Sequence, residues 1–228
     1  MKLIYLLALF SFSIQASDIQ CDFFAVNTDQ SCTPFGGIKL DVPMAKQKRP
    51  LSCEAAALTS ALNYFGADTT EEKIIEQMPF DKTLKTKDVW GDPNLGFVGD
   101  IDGRSIISGY GIYWKPIARL SSQWKKADWI INGSIKDITD QIKQKRPVLV
   151  WISALKDADI IFWKTTSGKR VRALQDQHVI VVSGYEGSAE LPLGFHVMDP
   201  DEGMRFMDYN DFIARWDRFE RPAVVFKD

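Results

Sequence analysis

The spacing of apolar positions changes part-way along the chain. In the first half it is helical. Residues 53–65 form an Ala- and Leu-rich run that opens after Ser52, an N-cap residue, and stops at Gly66, with Pro50 marking the boundary. A second helix is expected over residues 70–78, where Thr69 and Glu72 have capping-box spacing. A third, over residues 134–145, sets Ile135, Ile138 and Ile142 on one face and is followed by Pro147. From there the pattern becomes that of strands. Residues 148–153 read as a buried strand, and residues 160–166 and 169–173 straddle a Ser167-Gly168 turn as a hairpin. Further strands are expected at 178–185, 194–199 and 223–227, with a helix over 208–219 between the last two.

Helices first and an antiparallel sheet second imply an α+β fold. Two stretches break the pattern. Residues 17–45, with Pro34, Gly36, Gly37 and Pro43, read as a loop-rich arm with one short strand, and residues 90–103 carry too much Gly, Pro and Asp for regular structure.

Residues 1–16 have the form of a secretory signal: Lys2 precedes an apolar run too short to span a bilayer, and Ala16 offers a small residue for cleavage. The expected organisation is therefore a signal (1–16), an N-terminal extension (17–45) and a single domain (46–228). Cys21 lacks the small-residue context of lipoprotein processing, and no later segment is apolar enough for a membrane helix, so a secreted or periplasmic protein without a membrane anchor is expected. A net charge of −2 gives no reason to expect nucleic acid or anionic lipid as a partner. Three cysteines in an exported chain leave at least one thiol unpaired. Of the three pairings, Cys21 with Cys32 is favoured, because they flank a short polar loop; Cys53 is then free.

Cys53 directly follows the cap of the first helix. Only thiolate attacks, and unpaired N–H groups at a helix start favour it, although the adjacent Glu54 carboxylate opposes it, so an imidazolium partner is needed. Only His178 and His196 are available. Side chains alternate along a strand, so His196 and Asp199 face opposite ways. His178 is the better partner if strand 178–185 pairs antiparallel with strand 194–199 and sets His178 opposite Asp199, Ile180 opposite Val197 and Val182 opposite Phe195. The carboxylate would then hold the imidazole Nδ1–H. Gln47, six residues before Cys53, could add an amide donor to the Cys53 backbone N–H and complete an oxyanion hole.

Taken together, Gln47, Leu51-Ser52-Cys53-Glu54-Ala55-Ala56, the Trp90-Gly91-Asp92-Pro93 loop with Gly96-Phe97-Val98-Gly99, His178 with Gly184-Tyr185, and Asp199-Pro200 resemble the bacteriocin-processing, double-glycine-leader peptidase family of papain-like enzymes, closest to its secreted stand-alone branch. The resemblance spans residues 41–226. It implies a papain-like fold with Cys53 as nucleophile, His178 as general base and acid, Asp199 as orienting residue and Gln47 in the oxyanion hole. Glu54 departs from the pattern, standing where transporter-linked members usually carry Gly, so leader peptides ending in two glycines do not carry over as the substrate.

No phosphate-binding loop accompanies these residues, so no attached transporter ATPase is expected. No cofactor is implied. Two histidines and three cysteines at these spacings make no zinc site, and Asp100-Ile101-Asp102-Gly103 lacks the remaining calcium ligands. Trp90 and Trp114 are the tryptophans best placed to line a groove. The expected partner is a peptide or protein substrate, hydrolysed through a thioester. Two other readings remain: the same chemistry on cell-wall peptide or amide bonds or with transfer to an amine, and an exported binding module that keeps only the fold.

Overall fold

The computed structural model describes residues 30–32 and 35–228; the expected signal, Cys21 and the Cys32 side chain lie outside it. In chain order the elements are β1 (Gln30–Cys32), β2 (Gly37–Leu40), α1 (Cys53–Tyr64), α2 (Glu71–Gln77), β3 (Phe80–Asp81), β4 (Phe97–Val98), α3 (Trp114–Ser121), β5 (Ala127–Ile130), α4 (Ile135–Lys143), β6 (Val148–Ser153), β7 (Ile160–Lys164), β8 (Arg170–Leu174), β9 (Gln177–Gly187), β10 (Pro192–Asp199), β11 (Gly203–Asp208), α5 (Tyr209–Asp217) and β12 (Ala223–Phe226). The fold is α+β with a mainly antiparallel sheet, as expected, but the order is less clean than helices first: β1, β2 and β5 of the sheet come before α4, and α5 follows β11.

The central strand is β9. On one side it pairs with β10, and on the other with β6 along its first half and β2 along its second; β12 and β5 extend the sheet beyond β6, and β11 lies outside β10. Every one of these pairs is antiparallel. The arm before the first helix is thus tied to the sheet through β2. Gly184 allows that contact, since a Cβ there would stand 2.4 Å from the Ile38 carbonyl oxygen.

Helix α1 packs against β9 and β6 and is buried from Cys53 through Leu62. Its small residues explain this, because a helix apolar on all sides belongs in a core and alanines let it approach the sheet closely. Gly66, at φ 81°, ends it by supplying the left-handed residue after the cap. All six residues of β6 are buried, as a continuous apolar run requires when both faces are covered.

The structure corrects several expectations. The cap of α2 is Thr70, whose side chain accepts from the Lys73 N–H, rather than Thr69. Helix α3 and the edge strands β5 and β11 are additional. Pro116 is tolerated in the first turn of α3, where its missing N–H has no partner to lose. Trp114 belongs to the core, almost fully buried and stacked on Tyr113 with ring centroids 4.7 Å apart, whereas Trp90, also largely buried, contributes to the wall of a groove as expected.

The register of β9 against β10 also differs. Val182 pairs with Val197 and Val181 with Met198, whereas further along His196 pairs with Gly184 and Phe195 with Tyr185. Ser183 is the extra residue of a β-bulge that moves the register by one, and past it the ladder runs two residues away from the pairing that sets His178 opposite Asp199. Continued by one pair, this ladder puts Asp199 beside Ile180, so His178 reaches it diagonally along the same face.

Candidate active site

Cys53 is the first residue of α1. Ser52 stands at the cap position, but its hydroxyl donates to the Arg49 carbonyl (3.0 Å) and accepts the Arg49 N–H (3.2 Å), and it makes no bond to the helix. The N–H groups of the first turn are therefore left free of the cap side chain. Cys53 is a free thiol with 7% of its surface exposed. Its Sγ donates to Glu54 Oε2 at 3.3 Å and also meets the backbone N–H of Val179, the residue after His178. Burial, and then the neighbouring Glu54 carboxylate, push the thiol well above its usual range, against the pull of the Val179 and Glu54 backbone N–H groups. The helix start alone does not produce a thiolate here.

His178 Nε2 lies 2.7 Å from Asp199 Oδ1. The expected contact was through Nδ1; with the ring turned this way, Nδ1 is free of the carboxylate. Asp199 is 1% exposed and closely held: Oδ1 also accepts the backbone N–H groups of Asp201 (3.0 Å) and Glu202 (3.3 Å), and Oδ2 accepts Arg205 Nη2 at 2.9 Å. Burial works to raise this carboxyl, but the imidazole, the Asp201 N–H and the guanidinium outweigh it and hold the group far below the usual carboxylate range. His196 faces elsewhere, with its Nε2 3.2 Å from Glu186 Oε1 and its ring edge on Phe206.

Gln47 reaches the Asp199 corner by its main chain, its N–H donating to the Pro200 carbonyl at 2.9 Å. Its side-chain amide does not extend across the site. Nε2 donates to the carbonyls of Arg49 (3.2 Å) and Pro50 (3.3 Å), and Oε1 is buried without a partner among the described residues.

The Peptidase_C39 like family model matches residues 39–224. This chain belongs to that family. Among curated proteins it is similar to the uncharacterized protein YvpB of Bacillus subtilis (strain 168), 28% identical over 178 residues, covering 76% of this chain and 68% of YvpB. Among solved structures it is similar to a Bacillus anthracis protein assigned as a C39-like peptidase, with TM-score 0.72 and 25% identity over 82% of this chain and 95% of that one. A double-glycine-motif protease from an AMS/PCAT transporter, solved with its leader peptide, gives TM-score 0.46 and 16% identity over 87% of this chain and 97% of that one. The fold is that of the papain-like cysteine peptidases.

In this C39-like domain the Gly- and Pro-rich segment that follows Trp90 is ordered and is tied to Glu54, the residue after Cys53. Asp92 Oδ1 accepts from Asn94, Asp81 takes the Asp92 N–H at 2.8 Å, and Trp163 donates to the Gly91 carbonyl at 2.7 Å. Val98 N–H bonds the Gly111 carbonyl, and Ile112 N–H then reaches Glu54 Oε1 at 2.9 Å. The same oxygen accepts Gln177 Nε2 at 2.8 Å. Burial raises the Glu54 carboxyl, and these N–H donors only partly counter it. Beyond Leu51, whose N–H bonds the Ile101 carbonyl, Trp90, Phe80, Leu84, Ile101 and Ile107 line a surface groove of about 590 Å³. Arg205 and Gln177 carry no sequence signal of their own: pairing of β11 with β10 brings Arg205 to Asp199, and packing of α1 on β9 brings Gln177, the residue before His178, to Glu54.

Proposed function

We propose that this C39-like domain is an exported cysteine peptidase that cleaves peptide bonds through a thioester. The observation that carries the reading is the 2.7 Å bond from His178 Nε2 to a buried, strongly held Asp199, with the free thiol of Cys53 against the main chain next to that histidine. Once Nε2–H is held by the carboxylate, Nδ1 is the basic nitrogen. It takes the proton from Sγ, and the sulfur attacks the substrate carbonyl carbon. The oxygen of the tetrahedral adduct is met by the Cys53 N–H and by Gln47, which turns one amide proton from its own loop carbonyls to the oxyanion. Nδ1–H then protonates the leaving amine, the C–N bond breaks, and water, deprotonated by His178, releases the acid from the thioester. The groove beyond Leu51 suits apolar side chains of the substrate.

Cys53→Ala and His178→Ala should each abolish turnover of a casein substrate while leaving the melting temperature near that of the parent, whereas His196→Ala should be mild. Loss of activity in His196→Ala with retention in His178→Ala would overturn the assignment. Parallel assays on purified peptidoglycan, and with an added amine acceptor, distinguish protein hydrolysis from cell-wall hydrolysis and from acyl transfer.

A further inference from the structure

We propose that Glu54 and Gln177 form a positioning clamp that joins the residue after the nucleophile to the residue before the base, and so sets the sulfur against the imidazole. Cys53 and His178 come from different halves of the fold, the start of α1 and the start of β9. Their chain neighbours are bonded directly, Gln177 Nε2 to Glu54 Oε1 at 2.8 Å. The Ile112 N–H lands on the same oxygen at 2.9 Å, so three segments meet at one atom. The opposite oxygen takes the thiol hydrogen at 3.3 Å. The surroundings are shaped for this arrangement: Gly111 runs past at φ 148°, and a Cβ there would stand 2.5 Å from Glu54 Oε1 and 2.6 Å from Gln177 Nε2. With Glu54 2% exposed, neither carboxylate oxygen is left to bulk water.

The clamp has a geometric part and a charge part. The geometric part is the amide-to-carboxylate bond, which no other described contact duplicates between these two chain neighbours. The charge part acts on the thiol, which the carboxylate keeps protonated at rest until His178 removes the proton. The charged or titratable groups around Glu54 are Cys53 on α1, His178 on β9, and Tyr110 with Tyr113 in the preceding loop; Arg172 of β8 lies near those two tyrosines. Misplacement on the scale of an ångström at a reacting pair costs up to about 100-fold in rate, so holding the pair is worth a dedicated contact.

Two variants separate the parts. Glu54→Gln keeps an oxygen for Ile112 and Gln177 but presents an amide to the sulfur. Gln177→Met keeps the charge and breaks the bond. The turnover readout rests on the peptidase reading above; alkylation of Cys53 by iodoacetamide needs no substrate and reports the clamp even if that reading fails. Glu54→Gln should speed alkylation at neutral pH and move its midpoint to lower pH. Gln177→Met should slow alkylation toward the rate of His178→Ala and lower kcat by about 10- to 100-fold with KM held. A general loosening of the fold would move both variants the same way. Full-length protein with a parent-like melting temperature is used in each case. Unchanged alkylation in folded Gln177→Met, or a midpoint in Glu54→Gln that stays or rises, overturns the proposal.

Discussion

The site contains two buried carboxylates with opposite surroundings. Asp199 accepts from an imidazole, two main-chain N–H groups and a guanidinium, all of which favour the ionised form. Glu54 accepts from the Ile112 N–H, the Gln177 amide and the Cys53 thiol, and among the described residues no lysine or arginine bonds it. Burial pushes both carboxyls up; only at Asp199 do the partners win, so one carboxyl is held down and the other is left raised. The difference follows from position. Asp199 ends β10 at a tight turn into β11, where consecutive N–H groups point inward and Arg205 lies across the ladder, whereas Glu54 is trapped between a helix start and neutral backbone. In the mechanism proposed above, the first carboxylate orients the His178 base and the second holds the Cys53 thiol while it keeps its proton.

Removing the charge at the first corner should have the largest effect. Asp199→Asn leaves the imidazole without its anionic partner, and turnover of a peptide substrate should fall by about 10²- to 10⁴-fold, the range for losing an oriented general base. Retention of more than a tenth of the activity would mean that the orientation comes from the backbone turn alone.

A smaller effect is expected from Arg205, which is about 30% exposed on its side chain and bonds a nearly buried oxygen. Arg205→Met should cost about 1.5–3 kcal/mol of stability in urea unfolding, the range for a hydrogen bond to a charged group. It should also make the loss of stability toward acid shallower, because an Asp199 carboxyl that is less depressed takes up fewer protons on unfolding.

The finest test is the sign of the pH dependence. Asp199 has a folded pKa depressed below its ordinary 3.8, so its stabilisation is present above that value and is lost as pH falls through the folded one. Glu54 is raised above its ordinary 4.5, so it weakens the fold as pH rises past that value. Urea midpoints measured from pH 3 to 7 should show Asp199→Asn flattening the acid side and Glu54→Gln flattening the decline above about pH 4.5. Equal slopes in the two variants would remove the distinction between the carboxylates.

Much of this was legible locally. The Ala-rich run behind Cys53, closed by Gly66, specifies a buried helix whatever surrounds it, and the Ser167-Gly168 turn between two strand-forming runs specifies the β7–β8 hairpin. The choice of His178 over His196 followed from strand alternation, which holds in any sheet. The pairing register did not follow, because it is set by how the β9–β10 turn closes and by the bulge at Ser183, both properties of two strands, while β9 alone reads as regular. Helix α3 was hidden by Pro116, which the first turn tolerates, and by an aromatic start that is stabilised by burial of Trp114 and Tyr113 against Trp151 and Phe219.

By itself the sequence determined that a cysteine begins a buried helix, that His196 and Asp199 point to opposite faces of one strand, and the α+β class, since each depends on residue spacing within single segments. Only the tertiary structure decided that the imidazole meets Asp199 through Nε2, that Arg205 and Gln177 join the site, and that the Gln47 amide rests on its own loop. Those outcomes are set by distances between segments far apart in the chain. The same is true of the thiol's resting protonation, because burial and a neighbour's charge are fixed only once helix, loop and sheet have closed around Glu54.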